Sequence, residues 1–252
     1  LVFLHSGDHV TTEVHYLPTA NLLATPRLIS QRTSGHEYYV DHQGDNAQSG
    51  RLLIRSNQRQ ANFDLYQVAL TDSTTNLSAQ LDPANWQSIV TGDERTYLTN
   101  HMVFKAHVFV EVRIDGLDQM MVVEQNGESH FIQMPEESYS LGFGTNADYE
   151  SNFLRLSYTS MVTPNTVYDY ALDTKILQQR KVQQVPGSYD AKNFVTRRLM
   201  ATARDGTQVP ISLVQRQDTP VDGSAPLYLY GYGAYGHAIP PAFSSNIISL
   251  LD

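Results

Sequence analysis

The stretch HVFVEVRIDGLDQMMVVEQ, residues 107–125, reads as a strand, a short polar turn and a second strand. Valine, phenylalanine and isoleucine favour extended backbone, and the turn residues between the two runs favour reversal of the chain. The same unit occurs three more times. LVFLHSG (1–7) is followed by EVHYLPT (13–19), RLLIRSN (51–57) by DLYQVAL (64–70), and FLRLSYTS (153–160) by TVYDYAL (166–172). The second strands start at 13, 64, 118 and 166, a spacing of 51, 54 and 48 residues.

A repeat near fifty residues with about four strands per unit predicts the blades of a β-propeller. A twisted four-stranded sheet has two faces to cover, and neighbouring sheets around an axis cover them for each other. EYYVDHQ (37–43) and YLTNHMVF (97–104) each precede a hairpin and are read as outer strands of their sheets. A β-sandwich with regular strand spacing is the alternative on spacing alone. The chain begins without Met and directly in strand-like sequence, and four units are few for a closed propeller. Further blades are therefore expected upstream.

Composition narrows the function classes. The 252 residues are 41% hydrophobic, ample for a sizeable core, with no apolar run near the roughly 20 residues of a membrane span. The net charge is −9 and no basic cluster is longer than Arg197-Arg198, which argues against nucleic acid and anionic membranes as partners. There are no cysteines, so disulfides, thiolate metal sites and a cysteine nucleophile are excluded. Their absence fits the cytoplasm, with the periplasm as the other compartment considered.

The character of the chain changes after residue 185. VPGSYDAKNF (185–194) has linker composition, and FVTRRLMATARDGTQVPISLVQRQ (194–217) reads as a hairpin around Asp205-Gly206. TPVDGSAP (219–226) is a turn-rich loop. PLYLYGYGAYG (226–236) then predicts a short strand opening into a glycine-tyrosine loop. Glycines at 231, 233 and 236 let the backbone take positive φ and let another group approach closely. FSSNIISLLD (243–252) has apolar residues at helical spacing, with Ser244 or Ser245 as N-cap. The domain reading is a propeller segment over 1–185 and the incomplete start of a second domain over 186–252.

TSMVTPNTVYDYALDTK, VPGSYDAKNF, DGTQVPISLV and PLYLYGYGAYG, in this order, resemble the prolyl oligopeptidase family of serine peptidases, in particular its oligopeptidase B branch. The resemblance implies a seven-bladed propeller over an α/β-hydrolase domain, of which this chain would hold about four blades and the hydrolase entry. It also implies a serine oligopeptidase of short peptides that cleaves after basic residues, needs no cofactor or metal, and uses its propeller to limit substrate size. The family's nucleophile sits in a Gly-x-Ser-x-Gly elbow, and this sequence contains no such pentapeptide. No Ser/Asp/His triad is therefore assigned here. What carries over is Tyr232, between Gly231 and Gly233, as one hydroxyl donor of the oxyanion hole, with Tyr235 as an aromatic near the substrate pocket. The alternative for Tyr228, Tyr230, Tyr232 and Tyr235 is an aromatic strand packed in a core.

One departure bears on specificity. Where the oligopeptidase B branch carries two carboxylates before a Phe-Ser pair, this chain reads HAIPPAFSS, with Pro240 and Ala242 in their places. No Coulombic attraction for a basic side chain arises there, which weighs against a preference for paired basic residues. Elsewhere His5, His9 and His15 lie near Asp8 and Glu13, a grouping read as solvent-facing turn residues rather than a metal site. Asn76-Leu-Ser78 matches a glycosylation acceptor with nothing else to support secretion. The other function class kept open is a non-catalytic propeller serving as an interaction platform.

Without an activated serine nothing in this chain attacks a carbonyl. The purified 252-residue chain is therefore expected to release no chromophore from arginyl or prolyl p-nitroanilides. Turnover blocked by a serine-directed inhibitor would overturn that expectation.

Overall fold

A computed structural model describes residues 1–45, 49–70, 81–235 and 237–251; Asn76, Ser78 and Gly236 lie outside the described residues. Seventeen strands are found among them, in five antiparallel sheets. The first sheet holds β1 (Val2–Gly7), β2 (Thr12–Leu17) and β3 (Arg27–Leu28). The second runs β4 (Tyr38–Gln43), β5 (Arg51–Ser56), β6 (Asp64–Ala69), β7 (Gln87–Thr91) in chain order. The third is β8 (Thr96–Val103), β9 (His107–Ile114), β10 (Leu117–Glu124) and β11 (Ser129–Phe131). The fourth is β12 (Ser140–Phe143), β13 (Phe153–Thr159), β14 (Thr166–Ala171) and β15 (Leu177–Val182). A two-stranded hairpin, β16 (Phe194–Thr202) with β17 (Gln208–Arg216), and a single turn of helix, α1 (Ser245–Ile248), follow.

All four hairpins expected from the sequence are formed, within a residue or two of the quoted runs. Among the described residues no helix is long and apolar enough to cross a membrane. The chain divides into two units. One is Leu1–Arg113 with Met121–Phe131 and Asp148–Glu150; the other is Ile114–Met120, Ile132–Ala147 and Ser151–Asp252.

In the first unit the middle strands are apolar on both faces. Leu52, Leu53 and Ile54 of β5 and Val108, Phe109 and Val110 of β9 are fully buried, although neighbours along a strand point to opposite faces. Such sheets are covered on both sides. Tyr38 joins the first sheet to the second: its hydroxyl accepts the N–H of Val14 (2.8 Å) and of Ser30 (3.2 Å) and donates to the carbonyl of Ser30 (2.7 Å). Around it lie Val14, Tyr16, Leu52, Tyr66 and Trp86. The Trp86 ring is 5.7 Å from Tyr66 and 6.3 Å from Tyr38, centroid to centroid, and its Nε1–H donates to the carbonyl of Leu81. The second sheet meets the third through Gln43, whose Nε2 donates to the carbonyl of Phe104 (2.7 Å), and through Arg55, which donates to the carbonyl of Leu98 (3.1 Å).

The strands expected to be outer are edges of their sheets, as read, but they are the buried edges. Tyr38 and Val40 of β4 and Leu98 and His101 of β8 are inside, whereas most residues of β7 and β15 are exposed. Contact between neighbouring sheets decides which edge is buried.

The second unit is built on the fourth sheet. Asp169 on β14 stands directly opposite Arg155 on β13 and binds it through two bonds (2.8 and 3.0 Å), while Arg180 Nε approaches from β15 at 2.9 Å. The Asp169 side chain is 5% exposed, and the Arg155 guanidinium, chiefly, holds its carboxyl below the usual carboxylate range. Glu136 ties three elements together by accepting the hydroxyls of Tyr158, Thr163 and Thr196. The β16–β17 hairpin turns at Asp205-Gly206 as expected, with Gly206 at φ +89° and the Asp205 carboxylate accepting Thr207 N–H (3.0 Å). Phe194, Val162 and Ile248 form an apolar cluster with Tyr189, Val214, Phe243 and Leu251 against it. Ser244 stands at the N-cap of α1, without a side-chain capping bond.

Removing the charge of Asp169 leaves two arginines without their carboxylate. Asp169→Asn is expected to lower stability by about 1.5–3 kcal/mol at pH 7, read from urea unfolding. Because the folded carboxyl titrates below its unfolded value of about 3.9, the contribution is present above that value and is lost as pH falls through the folded one. The gap between wild type and variant should therefore narrow on acidification below about pH 4. An equal gap at pH 7 and pH 2.5 would contradict this assignment.

Candidate functional site

The chain leaves β17 through Gln217, whose N–H donates to the carbonyl of Asn193 (2.9 Å). Asp222 then folds the 219–226 loop, accepting both the N–H (3.0 Å) and the hydroxyl (2.6 Å) of Ser224. Beyond it no strand forms over 226–230, contrary to the sequence reading. An isolated strand gains nothing in water, because its N–H and C=O groups need a partner. Among the described residues none pairs with it. Leu227 and Leu229 are each 76% exposed, and Tyr228, Tyr230 and Tyr235 are exposed as well. Within this chain these tyrosines are not packed in a core.

Tyr232 lies half-exposed, its ring edge-on to His237 with centroids 6.2 Å apart. The carbonyl of Ala234 accepts the N–H of His237 (3.1 Å) and closes a tight turn. Tyr235 occupies the tip of that turn at φ +57°, a left-handed conformation that costs a residue bearing a Cβ roughly 1–2 kcal/mol. Gly231 and Gly233 permit positive φ, but here it falls on Tyr235. A methyl group built on either glycine meets nothing within 4 Å. The two glycines thus leave open space on both sides of Tyr232 rather than serving the turn.

Pro240 and Ala242, which stand where acidic residues were sought, are joined by a bond from Ala242 N–H to the Pro240 carbonyl (2.8 Å). Phe243 is the next fixed point. Its N–H donates to Thr159 Oγ1 (3.1 Å), and its ring meets that of Tyr189 edge-on at 5.2 Å. The 84 residues between Thr159 and Phe243 put this contact beyond any local sequence signal.

The early histidines do not converge. His15 lies 3.9 Å from Glu13, which also faces Arg32, and among the described residues no three His, Cys, Asp or Glu side chains are grouped to hold a metal ion. In the first unit a polar cleft of about 540 Å³ is lined by Gln43, Arg51, Gln67, Gln87, Lys105 and Tyr149. Its cations are engaged, Arg51 by the amide oxygens of Gln43 and Gln67 and Lys105 by Glu150 and Asp45. His36, His42, His101 and His107 show no ligand spacing in the sequence, and of these His101 is buried beside a carboxylate. His101 Nε2 lies 3.3 Å from Asp41 Oδ2, and burial, with Arg55 nearby, pulls the imidazole down to about 3. It is neutral at physiological pH.

Residues 1–183 match the family model described as the N-terminal β-propeller domain of prolyl oligopeptidase. The dipeptidyl aminopeptidase BI of Pseudoxanthomonas mexicana is 36% identical over 245 residues, covering 96% of this chain and 32% of that protein. Protease 2 of Moraxella lacunata is 32% identical over 251 residues, covering 100% and 34%. The solved oligopeptidase B of Trypanosoma brucei, in a closed form with covalently bound antipain, superposes with a TM-score of 0.83 at 27% identity, over 99% of this chain and 35% of that one. The chain spans about a third of the length of the curated relatives it matches.

The unpaired backbone over 226–235 sets a measurable expectation for this chain. Hydrogen exchange followed by mass spectrometry should label Leu227–Tyr235 at the earliest time point, while β13 and β14 stay protected. Protection of Leu227–Tyr230 comparable to that of β14 would show that a strand forms there.

Proposed function

This chain belongs to the prolyl oligopeptidase family, and from that premise we propose that it is part of a serine oligopeptidase acting on short peptides. Residues 1–185 are taken as about four blades of a seven-bladed propeller that limits substrate size, and 186–252 as the entry to an α/β-hydrolase domain. The Ser/Asp/His triad belongs to the remainder of the enzyme.

The observation that carries this reading is the open phenol of Tyr232 between two glycines that leave the space beside it free. When serine attacks a peptide carbonyl, the oxygen gains negative charge as the carbon becomes tetrahedral. A hydroxyl held about 2.7–3.1 Å from that oxygen stabilises the charged state more than the ground state. Gly231 and Gly233 give the substrate backbone room to come that close. For Tyr235, exposed at the tip of the turn, the proposed role is contact with a substrate side chain. A binding platform would give this loop no task.

For substrates we propose cleavage after basic residues, without added preference for a second basic residue beside the first. Pro240 and Ala242 offer no charge to attract it. The relatives' names span a dipeptidyl aminopeptidase and protease 2. Comparing free and blocked N-termini on the same arginyl substrate separates release of dipeptides from internal cleavage.

In the full-length enzyme, Tyr232→Phe removes the donor and little else. The kcat on amide substrates should fall about 100- to 1,000-fold with little change in KM. Tyr230→Phe should cost far less. Wild-type kcat in Tyr232→Phe would remove Tyr232 from the oxyanion hole.

A further inference from the structure

We infer that Thr159 is a positioning residue for the Tyr232 loop, acting through the backbone of Phe243; this rests on the role proposed for Tyr232. Between β17 and α1 the described residues contain no strand or helix, so nothing regular fixes the direction of the Tyr232 hydroxyl. An oxyanion donor is effective only when it is already aimed, because reorienting it during the reaction would use up the stabilisation it provides. The direction must then come from the points where the loop is pinned.

After Tyr232 the first pin on a sheet is Phe243. Its N–H donates to Thr159 Oγ1 at 3.1 Å, and Thr159 in turn donates its own proton to the carbonyl of Thr163 at 3.0 Å. That second bond orients the hydroxyl so that a lone pair faces Phe243. The receiving turn is itself fixed. Ser160 Oγ accepts the N–H groups of Val162 (3.0 Å) and Thr163 (2.8 Å), the Thr163 hydroxyl binds Glu136, and the Tyr189 hydroxyl binds the Val162 carbonyl. The Phe243 ring packs on Tyr189 within the cluster of Val162, Phe194 and Ile248.

Part of the path from this pin back to Tyr232 is restricted. Pro240 and Pro241 hold φ near −65°, the Pro240 carbonyl accepts Ala242 N–H, and the Ala234–His237 bond closes the turn beside the Tyr232 ring. Releasing Phe243 therefore frees one end of a loop whose middle has no other bond to a sheet among the described residues. The loss is expected in the direction of the phenol rather than in substrate affinity.

The test is made in the full-length enzyme with Thr159→Val, Thr159→Ser and Tyr232→Phe, at a temperature where circular dichroism shows each variant folded. Valine keeps the shape and removes both bonds; serine keeps the hydroxyl. Displacements of an ångström remote from the chemistry can cost about 100-fold. Thr159→Val should accordingly lower kcat on amides by about 10- to 100-fold with KM nearly unchanged. Thr159→Ser should restore most of it, and the Phe243 amide should exchange faster only in the valine variant. If Tyr232→Phe loses kcat while Thr159→Val keeps it, or if serine gives no rescue, the positioning role is wrong. If Tyr232→Phe keeps wild-type kcat, the oxyanion reading itself fails and this inference falls with it.

Discussion

A twisted sheet with apolar residues on both faces cannot stand alone in water, and the rest of this structure follows from that constraint. Leu52, Leu53 and Ile54 are consecutive and all buried, so β5 offers no solvent face. The same holds for Val108, Phe109 and Val110 of β9. Burying such side chains contributes about 1.5–3 kcal/mol each, but only when a neighbouring sheet covers each side. Repetition near every fifty residues supplies the neighbours. Polar ties then fix where each sheet meets the next, and Tyr38 and Gln43 do this with bonds to backbone groups that no strand partner would satisfy.

Charged groups follow the same logic. Asp169 is held between Arg155 and Arg180, so its burial is compensated by bonds to both. Glu136 accepts three hydroxyls and thereby joins the fourth sheet's turn to β16. At the surface the arrangement is looser. Arg180 and Lys181 lie on the exposed edge strand β15, where charge discourages pairing with another chain.

The fold was legible because its signals are local. Each hairpin needs only two runs of β-favouring residues and a turn, and the spacing of the runs carried the repeat. Asp205-Gly206 gave the last hairpin by its turn chemistry alone. What failed was what depends on partners. PLYLY has the composition of a strand, yet without a neighbouring strand among the described residues it stays irregular. Gly231 and Gly233 are free to take positive φ but are not required to, and Tyr235 takes it instead. Asp41 with His101, and Thr159 with Phe243, are separated too far along the chain for spacing to pair them. At the candidate site the glycine-flanked tyrosine was legible by residue type, and the contact of Phe243 with Thr159 was not.

The chain has a single tryptophan, and it is the one enclosed by Tyr38 and Tyr66 at the heart of the first unit. That placement gives the molecule a built-in optical reporter. Indole emission follows the polarity around Trp86, so it senses loosening of the first and second sheets directly. The fourth sheet and the β16–β17 hairpin carry tyrosines and phenylalanines but no indole, and they are silent in that channel. Far-ultraviolet circular dichroism, in contrast, sums the strands of both units. Recording the two signals on one denaturation therefore tells whether the units melt together or in succession, with no label attached.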